Sequence, residues 1–360
     1  ISLSGSPVYA IAYTGSTFIG VGESDAVIIS ADGTAWTADV DVTHAGQAYQ
    51  GVAYGEGTLI AVGRNNGSGI IGKKSGTGTW TAPTPSGSNS LECVTYAGNG
   101  TFITAGRNTI LISCDLGATW TNTAALPPLG GASFAIHGIA ADGNGHAVAA
   151  GETGSGQSIL WYSADRGNSW TATASHIEGT GLNSAACGNH GFVAVGNDGI
   201  AYFSGDEGCT WDYVELPGAQ DPVPPILYKV AFGENTFVAV GQCEDGQENV
   251  FSSSDNGASW TERVTDPDID FQAVAYGNNS FVKAGYTIDG SLGKLYQSDP
   301  LSPVPAPTDH GGTSGNGRDK EPPVNPVAQM RDSEGKALQT VTGVMNSNTG
   351  TVTVDVTSDL

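Results

Sequence analysis

Short apolar runs separated by Gly/Asn turns recur along this chain at a nearly fixed spacing. Seven segments align with one another: AIAYTGSTFIGVG (10–22), GVAYGEGTLIAVG (51–63), CVTYAGNGTFITAG (93–106), GIAADGNGHAVAAG (138–151), SAACGNHGFVAVG (184–196), KVAFGENTFVAVG (229–241) and AVAYGNNSFVKAG (273–285). Their closing glycines at 22, 63, 106, 151, 196, 241 and 285 lie 41 to 45 residues apart. Each segment is two apolar runs around a tight turn, as in a β-hairpin. A third run follows, such as AVIIS (26–30) or NVFSS (249–253), and a fourth begins at a Trp, such as WTADV (36–40) or WTERV (260–264). Four strands in about 45 residues is the size of a propeller blade. The pattern predicts an all-β, seven-bladed β-propeller of four-stranded blades over residues 1–300, with a small C-terminal β extension.

The seventh unit reaches its third strand at 294–298 and then meets Pro300, Pro303, Pro305 and Pro307. Its missing outer strand is expected to come from the N-terminal ISLSGS, closing the ring. Residues 301–326 are Pro/Gly-rich and polar, as a linker is. Within 327–360, VAQMR, KALQTVTGVM and TVTVDVT read as two or three strands. So small a sheet needs support: packing on the propeller, pairing with another subunit, or strand addition to a neighbouring structure.

Composition agrees with many short strands, because Gly is the commonest residue at 53 of 360. The net charge of −23 and the lack of any Lys/Arg run exclude a nucleic-acid or anionic-membrane partner. No apolar run approaches the roughly 18 residues of a membrane-spanning helix, so no membrane insertion is expected. The acidic surface suits an extracellular, cell-surface or virion protein, and the opening Ile suggests a processed or partial product. Cys93, Cys114, Cys187, Cys209 and Cys243 show no zinc spacing, and a Cys187–Cys209 disulfide is the one pairing suggested. Neither a metal nor a cofactor is expected.

One cluster of chemistry-bearing residues repeats. SADGTAW (30–36), SCDLGATW (113–120), SADRGNSW (163–170), SGDEGCTW (204–211) and SSDNGASW (253–260) all fall between the third and fourth strands, and unit two has the degenerate SGTGTW (75–80). The pattern S-x-D-x-G-x-[ST]-W resembles the Asp-box, or BNR repeat, of sialidases and many other propellers. A catalytic group is needed once, whereas a structural group is needed in every blade. Asp32, Asp115, Asp165, Asp206 and Asp255 are therefore read as turn-shaping residues. Trp36, Trp120, Trp170, Trp211 and Trp260 are read as packing residues.

Function is expected on the opposite rim, where loops vary. The residue after each closing glycine is Glu23, Arg64, Arg107, Glu152, Asn197, Gln242 or Tyr286, a mixed set suited to a ligand. The sialidase resemblance implies an arginine triad, but only Arg64, Arg107 and Arg263 lie suitably and no Arg-Ile-Pro is present. No catalytic motif occurs elsewhere. A carboxylate pair drawn from Glu178, Asp221 and the trio Asp266, Asp268 and Asp270 would serve a glycosidase, and the trio lacks the spacing of a Ca²⁺ loop. The reading is a non-enzymatic surface module binding a glycan or protein. The alternatives are a glycoside hydrolase and a structural subunit assembled through 327–360. In texture the repeats resemble phage-tail, virion and bacterial surface propellers, and also photosystem II assembly-factor propellers.

Overall fold

A computed structural model describes residues 2–3, 7–23, 26–39, 48–81, 89–124, 126–127, 132–173, 177, 179–242, 250–263, 269–287 and 293–298, with the strands 330–331, 337–346 and 351–357. These residues form seven antiparallel blades and no helix. In blade 1 the strands Val8–Tyr13, Phe18–Gly22, Val27–Ser30 and Thr37–Ala38 pair in sequence order, and blades 3 to 6 repeat that order. The first strand of every blade abuts those of both neighbours, so seven first strands line a central channel.

The apolar core lies between blades. Seven buried clusters occur, each spanning one junction of consecutive blades. Phe18 and Ile28 of blade 1 meet Val282 and Leu295 of blade 7, so the last junction is packed like the others. Among the described residues blade 2 has three strands and, where a fourth would begin, one bridge between Lys73 and Thr81. The third strand of blade 7, Gly293–Ser298, pairs antiparallel with Ser2–Leu3 at one end and with Met330–Arg331 at the other. A hairpin of Ala337–Asn346 and Thr351–Thr357 follows.

The Asp-rich turns are clasps. Ser253 Oγ donates to Asp255 Oδ1 (2.8 Å) and accepts the Gly257 N–H (2.9 Å). Asp255 accepts the Ser259 N–H (2.9 Å), and Trp260 Nε1 donates to the Gly257 carbonyl (3.1 Å). The serine–aspartate bond recurs at Asp32, Asp115, Asp165 and Asp206. Glycine is required twice over, by its positive φ and by close approach. A Cβ on Gly257 would lie 2.6 Å from Val193, on Gly208 2.4 Å from Val148 and on Gly33 2.8 Å from Val282, each in the preceding blade. Trp170, Trp211 and Trp260 join the junction cluster on that same side. Trp36 packs partly buried in the same way, and Trp120 is buried with its indole N–H unpartnered among the described residues. Blade 2 lacks the Asp, and Trp80 donates instead to Asp39 of blade 1 (3.3 Å), which also takes Lys74 (2.6 Å).

These turns make stability pH-dependent. Burial pushes the Asp115 carboxyl up, but the Thr119 hydroxyl and N–H outweigh it and bring its pKa from 3.8 to about 2. The N–H groups of Ala35 and Thr34 bring Asp32 to about 2. The folded chain thus binds these protons less readily than the unfolded chain, so stability is lost as pH falls from about 4 to about 2. Asp115→Asn should show a shallower fall in urea midpoint across that window. Equal slopes would remove the turn as the cause.

The disulfide is not formed: Cys187 and Cys209 are free thiols. Cys187 lies on the first strand of blade 5 and Cys209 follows the third. Two strand spacings amount to roughly 10 Å, beyond the about 7 Å a disulfide can span. Cys243 lies outside the described residues.

Candidate functional site

In all seven blades the first strand slips by one residue against the second, at the same level. The residues skipped are Tyr9, Gln50, Glu92, His137, Asn183, Tyr228 and Gln272. A β-bulge removes its residue from the ladder and re-aims its side chain. Together with Lys229, these seven half-buried residues line a cavity of about 150 Å³ at one mouth of the channel. The bulge also explains the closing glycines. A Cβ on any of the seven would lie 1.9 to 2.3 Å from the carbonyl oxygen of Pro7, Ala48, Ser90, Ala135, Gly181, Ile226 or Asp270, in each case two residues before the bulged one.

The rim residues expected from the sequence stand behind this inner ring. Tyr9 donates to Glu23 (3.0 Å), Asn183 Nδ2 to Asn197 Oδ1 (3.0 Å), Tyr228 to Gln242 Oε1 (2.5 Å) and Gln272 Nε2 to the Tyr286 oxygen (3.4 Å). Arg107 Nε lies 3.6 Å from Glu92, and Glu152 lies 3.6 Å from His137 Nε2. Arg64 is exposed and acts on the Tyr9 phenol through its charge. The rim set is thus largely committed to supporting the bulged side chains, and the channel is faced by the inner ring.

Contacts between blades tie the ring together. His137 Nδ1 meets Glu92 Oε2 at 2.5 Å, and Asn183 Nδ2 also donates to the Leu227 carbonyl (2.9 Å). Burial raises the Glu92 carboxyl, but the His137 bond and charge and the Arg107 charge outweigh it and hold it below its ordinary 4.5. Burial and the bond to Glu23 push the Tyr9 phenol up to about 12. Near neutral pH the mouth therefore holds an ionised carboxylate and a neutral phenol.

Neither described carboxylate of the hydrolase reading, Asp221 or Asp270, lines this mouth. Glu178, Asp266 and Asp268 lie outside the described residues, as do His44, His176 and His310. Asp221 is exposed, and Asp270 precedes the bulge of blade 7. Arg263 donates to Ser252 on the outer side of blade 6. On the other rim His146 bridges Asp142 (2.8 Å) and Glu207 (3.1 Å). Among the described residues no group of three metal-ligating side chains occurs.

Fold and site together define a β-propeller whose seven bulges build a polar channel mouth. No family model matches the chain, and no curated protein does. Solved structures match its fold. "YCF48 bound to D1 peptide" aligns with a TM-score of 0.61 and 16% identity, over 82% of this chain and 93% of that one. The "WD40 beta propeller domain of Doa1" gives 0.60 and 15% identity over 82% and 94%. "YCF48 from Cyanidioschyzon merolae" gives 0.60 and 15% over 81% and 95%.

Proposed function

We propose that this chain is a non-enzymatic recognition module of the Asp-box type that binds a segment of a partner protein across its channel mouth, at a cell or virion surface. The observation that carries this reading is the ring of seven bulges. One backbone device, repeated in every blade, presents seven side chains of mixed chemistry at one opening, where a purely structural position would repeat one residue type. A propeller of similar fold bound to a peptide, YCF48 with D1 peptide, supports a polypeptide ligand. Glu92 is held ionised, which suits binding better than the raised pKa a general acid needs. The acidic composition supports the surface setting. A glycan is the second reading, favoured by Tyr9 and Tyr228 beside carboxamides at the mouth.

Peptide and glycan arrays probed with the full chain test this. Gln50→Ala with Gln272→Ala removes two half-buried ring side chains outside the core, so melting should be unchanged while binding weakens roughly tenfold or more, about 1.4 kcal/mol. Retained binding in the double variant would overturn the mouth as the binding face. Glycan hits lost in the same variant would select the second reading.

A further inference from the structure

Directly beneath the bulged residues lies a layer made of their C-terminal neighbours: Ala10, Gly51, Cys93, Gly138, Ser184, Lys229 and Ala273. Six of these are small. Lys229 alone is long, and it borders both the mouth cavity and the channel cavity below, each about 150 Å³. The other charged groups of the inner ring have ion-pair neighbours in the ring or the rim behind it, since Glu92 has His137 and Arg107, and His137 reaches Glu152. Among the described residues neither a hydrogen bond nor an ion pair reaches Lys229 Nζ. Burial holds this amine below its ordinary 10.5, with Cys93 and the Glu92 carboxylate acting in the opposite direction. An ammonium that is half-buried at a cavity wall with no hydrogen-bond partner gains by taking up an incoming anion.

We propose that Lys229 anchors a carboxylate-binding site in the channel, taking one carboxylate that is either free or carried by a polypeptide. Size and charge select this ligand. The space beside Lys229 exists because the other six residues of its layer are small, and it admits a short monoanion or the end of a chain. A phosphate dianion is drawn to several cations or to a bidentate guanidinium, and here one cation faces the cavity with the ionised Glu92 close by. Gln50 borders both cavities as well, and its carboxamide can donate to the second oxygen. The polypeptide form of the ligand rests on the mouth being the partner-binding face; the free form does not.

The test uses the full chain with its lysines ¹³C-methylated, the Lys229 signal being assigned by its loss in Lys229→Met. The probes are sodium acetate and acetyl-Ala-Ala-Ala with either a free or an amidated C-terminus. Acetate should shift the Lys229 signal saturably, and the free-carboxylate peptide should bind at least tenfold tighter than the amide. Lys229→Met should abolish both effects and melt no lower than the parent, and Lys229→Arg should retain binding. Response to acetate alone identifies a small-molecule ligand, and preference for the free peptide identifies a polypeptide. A Lys229 signal unmoved by every probe, or equal binding by Lys229→Met, overturns the proposal. Equal binding of both peptides that is lost in the Gln50→Ala, Gln272→Ala variant would overturn the carboxylate anchor while leaving the mouth as the partner face.

Discussion

Trp211→Ala is expected to lower stability by about 3–5 kcal/mol, the cost of deleting a buried indole. Trp211 is 6% exposed and packs with Ala140, Val148 and Leu160 of blade 4 as well as Phe192 and Tyr202 of its own blade. Its Nε1 also donates to the Gly208 carbonyl (2.9 Å), so truncation opens a junction cavity and leaves that turn carbonyl without its indole. Trp36→Ala is the internal comparison, because that ring is only partly buried and should cost less. Urea midpoints decide the matter, and a Trp211→Ala loss under about 1 kcal/mol would refute the turn as a clasp between blades.

Gly138→Ala should rank next. An added Cβ would lie 2.5 Å from Ser184 Cα and 2.6 Å from Ala185 N, both backbone atoms of the neighbouring first strand. A side chain could rotate away, but backbone cannot, so relief requires the innermost strands of blades 4 and 5 to separate. Overpacking of this kind costs about 1–3 kcal/mol and occasionally more. Gly57→Ala is the control: that residue has φ of 78° and nothing within 4 Å of the added atom, so only the left-handed penalty of about 1–2 kcal/mol applies. Comparable melting temperatures for Gly138→Ala and the parent would show that the inner layer is looser than described.

The seven blades were legible because strand periodicity and the turn pattern repeat in register. Ser253, Asp255, Gly257 and Trp260 could be read as structural from their counterparts alone, and their hydrogen bonds agree. The site was half legible. Glu23, Asn197 and Gln242 stood out as a variable column, yet they support the residues that face the channel. Tyr9, His137 and Tyr228 escaped because a bulge is a property of two paired strands, and a one-residue slip cannot be counted along one strand. A trace was present all the same: the closing glycine sits opposite each bulge, where a carbonyl oxygen excludes any Cβ. Lys229 was visible too, as the one long residue in a column of Ala, Gly, Cys and Ser. Blade 2 shows the reverse case, since its degenerate turn hid the substitute fastening of Trp80 to Asp39.

Each Asp-rich turn grips the blade before it, which gives the ring a direction that matters while the chain is being made. Blades 2 to 5 each stay ungripped until the successor that carries the turn emerges from the ribosome. Blade 7 is the exception, because the turn that holds it was completed first: Gly33 waits for Val282, and Gln297 donates to the Asp32 carbonyl (2.7 Å) across a sequence separation of 265 residues. Closing blade 7 onto blade 1 therefore carries the loop-closure entropy of nearly the whole ring.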